Sequence, residues 1–201
     1  MLRVTLRGDM RPPRAVLQRY PAHRSTLGGL LASRARDDAM RSVLWYEGRQ
    51  TSYADFARRV EAAARALAGR GIGAGDRVGA MAGNSADYVV LLFALARLGA
   101  ILVPVNPEFG PREAGYILQH ADVRAVAVVP AALEAARAAV QSLSHPAWCF
   151  TLEGESGGVP GLDELIAASP SSALPPEPAP ETPCLMIYTS GTTGFPKGVM
   201  H

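Results

Sequence analysis

The sequence of 201 residues is 48% hydrophobic and 19% charged, with a formal net charge of +2. That is enough apolar material for the core of one domain, or of part of a larger one, and a net charge too small to argue for or against an anionic partner. Two cysteines and four scattered histidines make neither a disulfide scaffold nor a zinc site, and the longest apolar run, residues 88–96, is well short of the ~20 residues that span a bilayer. A reducing cytoplasm is the expected setting, with no nucleic-acid partner, no metal site and no transmembrane segment.

Residues 1–24 carry Arg3, Arg7, Arg11, Arg14, Arg19 and Arg24 against Asp9 alone. Such a start reads as a nucleic-acid arm, as a targeting peptide, or as a solvated and loosely ordered leader. The last is the expectation, and no apolar signal-peptide core follows. From residue 26 to 36, Leu27, Leu30, Leu31 and Ala35 recur at helical spacing. Residues 43–46, a Glu47-Gly48 turn and a short return strand read as a hairpin. Ser52 and Asp55 open the next helix in the manner of a capping box; Tyr53, Phe56, Val60, Ala64 and Leu67 give it one apolar face, and Gly69 and Gly71 end it.

An alternation follows. Residues 77–81 predict a strand, and Asn84 can cap a helix over residues 85–98 closed by Gly99. Residues 101–105 predict a strand, Pro111 the first turn of a helix to residue 120, and residues 125–129 a strand. Residues 131–141 predict a helix, residues 147–151 a strand and residues 162–168 a short helix. Strands alternating with helices predict an α/β fold of right-handed βαβ units around a mainly parallel sheet. Residues 169–183 are rich in proline, and no packed element is expected there. The apolar residues 184–188 suit a buried strand. The expected organisation is therefore a leader over 1–24, an α/β subdomain over 25–168, a linker over 169–183, and a strand plus loop over 184–201.

That loop, "YTSGTTGFPKG" over residues 188–198, concentrates the chemistry. Gly191, Gly194 and Gly198 allow main-chain N–H groups to face an anion. Thr189, Ser190, Thr192 and Thr193 add hydroxyl donors, and Pro196 stiffens the approach to Lys197. The chain has 19 arginines and a single lysine, and that lysine is Lys197. A compact ammonium in such a loop suits phosphate oxygens, although an ordinary flexible loop has the same composition. A Walker-type loop does not fit, because Phe195 follows Gly194 and Gly198 follows Lys197. A serine-hydrolase elbow does not fit either, because Tyr188 stands where its first glycine belongs.

The loop closely resembles the signature phosphate loop of the AMP-forming adenylate-forming enzymes, a superfamily of acyl-CoA synthetases, luciferases and peptide-synthetase adenylation domains. The segments "YEGRQTSYADFARRVEAAARAL" and "GDRVGAMAGNSADYVVLLFALARLGAILVPVNPEFGPREAGYILQHADVRAVAVV" come in the order of an acyl-CoA synthetase amino-terminal region, and "VPVNPEF" with "REAGYIL" is nearer the carboxylate–CoA ligases. The resemblance implies the incomplete amino-terminal part of the large domain of such an enzyme. It implies ATP and Mg²⁺, coenzyme A as co-substrate, and a carboxylic acid that attacks the α-phosphate to give acyl-AMP and pyrophosphate before transfer to the thiol. Thr189, Ser190, Gly191, Thr192, Thr193, Gly194 and Lys197 are then the nucleotide-binding residues, with Tyr188 and Phe195 in packing roles. The histidine that such enzymes often carry beyond this loop usually lies two residues further on, so no role passes to His201. Adenine, ribose and acyl-group recognition, and the catalytic lysine of the mobile carboxy-terminal domain, are expected beyond residue 201. The chain is expected to be inactive alone, or active with a complementary carboxy-terminal chain. The alternative is a non-catalytic module that binds a nucleotide or a partner.

Overall fold

The computed structural model describes residues 26–169, 173–189 and 196–201. The basic leader, residues 170–172 of the proline-rich segment, and Ser190, Gly191, Thr192, Thr193, Gly194 and Phe195 lie outside the described residues.

Local sequence sets most element ends. Helix α1 (Leu27–Asp37) starts where the Thr26 hydroxyl accepts from the Gly29 N–H at 2.9 Å. Strands β1 (Ser42–Tyr46) and β2 (Arg49–Ser52) form an antiparallel hairpin through Glu47 and Gly48, both at positive φ. Helix α2 (Tyr53–Gly69) begins under Ser52, whose hydroxyl accepts from the Asp55 N–H at 3.1 Å. Strand β3 (Arg77–Met81) leads to α3 (Ala86–Leu98), and Gly99 in the left-handed region closes that helix. The cap at its start is Ser85 rather than the expected Asn84: the Ser85 hydroxyl accepts from the Tyr88 N–H at 3.1 Å. Then come β4 (Ile101–Val105), α4 (Pro111–His120) and β5 (Val123–Val128). A 3₁₀ turn over Pro130–Ala132 leads to α5 (Leu133–Gln141), β6 (Trp148–Thr151) and α6 (Leu162–Ala167). The last two strands are β7 (Met186–Thr189) and β8 (Lys197–Met200).

Strands β3 to β6 form one parallel sheet in the order β4-β3-β5-β6, so each connecting helix must cross a face. Side-chain alternation divides the core in two. Val78, Ala80, Leu102, Ala125, Ala127 and Phe150 meet α1, α2, α3 and α6, with Phe56, Leu67, Leu91 and Leu95 at the centre. Met81, Val103, Val105, Val126 and Val128 meet α4 and α5 through Leu118, Ile117 and Ala136. Gly79 brings α4 close: a Cβ there would lie 2.6 Å from Leu118 Cδ2. Gly115 does the same between α4 and α5, where a Cβ would lie 3.3 Å from Ser142 Oγ and 3.9 Å from Ala139.

The described part of the proline-rich segment forms no helix or strand, yet it is fastened to the helices. Arg97 Nη1 donates to the Pro175 carbonyl at 2.9 Å, the Thr26 hydroxyl donates to Glu177 Oε1 at 2.7 Å, and Pro178 lies against Gly99. A Cβ on Gly28 would lie 2.7 Å from Glu177 Oε1, so a larger residue there would displace that carboxylate. Among the described residues no helix is long and apolar enough to cross a membrane.

Cys149 on β6 makes one consequence of the packing measurable. Burial pushes its thiol up from 9.0 to about 11, with the Arg137 charge pulling weakly the other way. At pH 8 the folded chain should alkylate at Cys149 about 100-fold more slowly than the same residue in the unfolded chain, because only the thiolate reacts. Peptide mass spectrometry after iodoacetamide treatment reads the ratio, and equal rates would contradict the burial. The sign for stability follows: above pH 9 the unfolded chain gives up this proton before the folded one does. Cys149 therefore costs stability as the pH rises toward about 11.

Candidate functional site

The apolar run at residues 184–188 does not form a buried central strand. Strand β7 begins at Met186, and its backbone bonds to the main sheet lie just ahead of that start. The Leu102 N–H donates to the Cys184 carbonyl at 3.0 Å, and Leu102 and Leu185 form an isolated parallel bridge. Beyond Leu185 the strand pairs with β8 instead, antiparallel, in the register Met186 to Met200, Ile187 to Val199, Tyr188 to Gly198 and Thr189 to Lys197. A two-stranded hairpin has no sheet on either side to bury both faces, so β7 alternates between half-buried and exposed, and β8 is exposed throughout.

The main chain of His201 fastens the base of this hairpin. Its N–H donates to the Leu185 carbonyl at 2.8 Å, and its carbonyl accepts from the Cys184 and Leu185 N–H groups at 2.9 and 3.2 Å. At the open end, Thr189 and Lys197 face each other across the ladder. These two are the members of the expected site that fall among the described residues; Ser190, Gly191, Thr192, Thr193 and Gly194 join them in sequence. Lys197 is exposed and makes no ion pair with any described residue.

Under the hairpin lies a cluster that the reading of the sequence did not find. Tyr188 Oη and His120 Nδ1 are 2.6 Å apart, and the two rings meet edge to face at 5.6 Å. With the imidazole neutral and its hydrogen on Nε2, the phenol donates to Nδ1. His120 stacks on Tyr116 at 5.9 Å with an interplanar angle of 24°. The Tyr116 hydroxyl donates to the Pro196 carbonyl at 3.4 Å, a long bond. Burial pushes the Tyr188 phenol above its usual range, and the nearby Tyr116 adds to the shift. Gly198 opposite leaves room for the ring: a Cβ there would lie 3.0 Å from Tyr188 Cζ. A signal for half of this cluster was present, since Tyr116 and His120 stand four apart on α4 and so share a helix face. Nothing local in the sequence ties that face to Tyr188, 68 residues on from His120.

A separate crevice of about 600 Å³ opens between the β1–β2 hairpin, the start of α3 and the end of β6. Three of its charged residues are paired with one another: Arg59 bridges Asp87 at 2.8 Å and Asp163 at 2.8 Å. Both acids lie in the first turn of a helix, where the dipole favours negative charge. No group of three His, Cys, Asp or Glu side chains among the described residues is placed to hold a metal ion.

The described residues form a parallel α/β unit with a hairpin beside β4, and residues 190–195 join its two strands in sequence. The profile of the "AMP-binding enzyme" family matches residues 31–201. A long-chain-fatty-acid–CoA ligase of Thermus thermophilus is 32% identical over 160 residues, which cover 77% of this chain and 28% of that protein. The crystal structure of the anthranilate CoA ligase AuaEII with anthranoyl-AMP is 26% identical, with a TM-score of 0.76, over 92% of this chain and 36% of that one. ATP-bound MatB from Rhodopseudomonas palustris is 27% identical, with a TM-score of 0.74, over 88% and 34%. The chain belongs to the AMP-binding enzyme family, and its fold is that of the amino-terminal portion of adenylate-forming CoA ligases. It spans about a third of the length of these relatives.

Proposed function

We propose that Thr189, Ser190, Gly191, Thr192, Thr193, Gly194 and Lys197 hold the β- and γ-phosphates of ATP in an acyl-CoA ligase reaction. The supporting observation is the hairpin register, which sets Lys197 opposite Thr189 at the two ends of the Gly/Thr/Ser segment with its ammonium exposed. These residues fit a polyphosphate chemically: hydroxyl and main-chain donors, one cation, and no acidic side chain from Tyr188 to His201. ATP supplies the α-phosphate that a carboxylate oxygen attacks, and pyrophosphate leaves. The work of Lys197 is to neutralise charge on that leaving group, and that of the hydroxyls is to orient it. Mg²⁺ would come with the phosphate oxygens of ATP, since no group of three metal-ligating side chains stands among the described residues. Coenzyme A would take the acyl group in the second step, releasing AMP.

The acyl substrate stays at the level of a carboxylic acid, since the relatives' names range from long-chain fatty acids to anthranilate. In this reading residues 1–24 are a leader, 25–168 a supporting subdomain, 169–183 a linker and 184–201 the phosphate-binding end. A cytoplasmic setting suits the two free cysteines. Groups outside residues 1–201 are needed to bind adenine and to drive the attack, so these residues alone bind ATP without turning it over. ATP–pyrophosphate exchange tests this. The 201-residue chain is expected to give no exchange with any carboxylate, and exchange should appear when the rest of a ligase is supplied as a complementary or continuous chain. Carboxylate-dependent exchange by the 201 residues alone would refute the division of labour. Absence of Mg-ATP binding, measured calorimetrically, would refute the assignment of the loop and leave the non-catalytic partner-binding reading.

A further inference from the structure

We infer that Tyr116 and His120 on α4 are positioning residues for the phosphate-binding hairpin, acting through Tyr188 on one arm and Pro196 on the other; this rests on the ATP reading above. The contacts form a closed circuit. On β7, Tyr188 lies across Gly198 of β8, which has no side chain to push the ring away. The Tyr188 hydroxyl meets His120 Nδ1, His120 stacks on Tyr116, and the Tyr116 hydroxyl reaches the carbonyl of Pro196, next to Lys197. Both arms of the hairpin are thereby tied to one helix face. That helix is itself fixed by Ala114, Ile117 and Leu118, which are buried against the sheet.

The tie matters because the hairpin's backbone bonding to the main sheet is confined to Leu102, while Met186 and Tyr188 lie against the core, and its own pairing is four residues long. A two-stranded hairpin is marginal by itself. The base is held by the His201 main chain, but that lies at the far end from Thr189 and Lys197. The α4 circuit is the attachment nearest the open end among the described residues. Without it, the twist and splay of the two arms are free, and the distance between the Lys197 ammonium and the Thr189 hydroxyl is no longer set before the ligand arrives. Ordering the pair on binding then weakens affinity for polyphosphate and leaves the fold of the main sheet alone.

The test measures Mg-ATP binding to the 201-residue chain by calorimetry, alongside the thermal midpoint and the imidazole ¹⁵N spectrum. Tyr116→Phe keeps the ring stack and removes the bond to Pro196. His120→Leu removes the bond to Tyr188, and His120→Asn restores a polar atom near the place of Nδ1. The expected result is a fivefold to tenfold weaker Kd in Tyr116→Phe and His120→Leu, partial recovery in His120→Asn, and thermal midpoints unchanged. The His120 ring nitrogen signals should shift in Tyr188→Phe. Lys197→Ala is the reference that separates the two claims. If Lys197→Ala abolishes binding while Tyr116→Phe and His120→Leu bind as the parent does, the positioning role is overturned and the phosphate loop stands. If the parent shows no binding that depends on Lys197, the loop assignment falls and the positioning role falls with it.

Discussion

Replacing Lys197 with alanine is expected to lower kcat/KM for ATP by about 10²–10³-fold in a ligase that contains these residues. The argument begins with composition: positive charge in this chain is carried by 19 arginines and this one lysine. The structure leaves the Lys197 side chain exposed and without an ion pair to any described residue, so its charge is available to a ligand rather than used in the fold. Losing it should leave the main sheet intact and fall on the step in which pyrophosphate departs. Thioester formation from supplied acyl-adenylate does not involve the β- and γ-phosphates, and it should stay within about twofold of the parent, since no interaction made in that transition state has been removed. Lys197→Arg keeps the charge but replaces a compact ammonium with a wider planar group, and it should recover only part of the loss. Equal loss in both half-reactions would place Lys197 in the fold instead.

Gly79→Val is expected to destabilise the α/β unit by about 3 kcal/mol and to lower its melting temperature by roughly 10 °C. Even a bare Cβ at this position would stand 2.6 Å from Leu118 Cδ2, and Val126 closes in at 3.5 Å. Leu118 is fully buried between the sheet and α4, so it has little space to turn away. The added methyl groups force α4 off the sheet at the contact where it is closest. Leu118→Ala by itself should cost about 2–5 kcal/mol through the cavity it leaves. In the double variant the valine fills part of that cavity, so the two losses should sum to less than their total. Chemical denaturation of the four proteins reads the coupling, and strict additivity would contradict the close approach. Because α4 also carries Tyr116 and His120, a shifted α4 should weaken ATP binding as well.

Much of the fold was legible because its signals are local. The β3 and β4 strands, the Pro111 start of α4 and the Gly99 end of α3 follow from short apolar runs and backbone-specific residues. The errors arise where two residues compete or where a distant partner decides. Asn84 and Ser85 are both good caps one position apart, and only the direction of the chain selects Ser85. Strand β5 starts at Val123, two residues before the expected start. The register against β3 shifts there as Arg124 is passed over, and a charged residue masked the strand. Strand β8 is invisible in "KGVM", which has the composition of a loop end and becomes a strand only by pairing with β7. For the same reason an apolar run that reads as a buried strand is half exposed. Burial depends on which strand lies beside it, and that is not encoded within residues 184–188. The loop itself was legible as chemistry from its residue types. The ties from α4 to Tyr188 and Pro196 were not, because they join residues 68 and 80 positions apart.

The central claim is that the segment between Thr189 and Lys197 is where ATP phosphates bind. Hydrogen–deuterium exchange with and without Mg-ATP tests it without requiring turnover. The account predicts slowed exchange in peptides covering residues 184–201, a smaller slowing at the end of α4 around His120, and no change in β5, β6 or α5. Protection that appears elsewhere while residues 184–201 exchange as fast as in the free chain would contradict it.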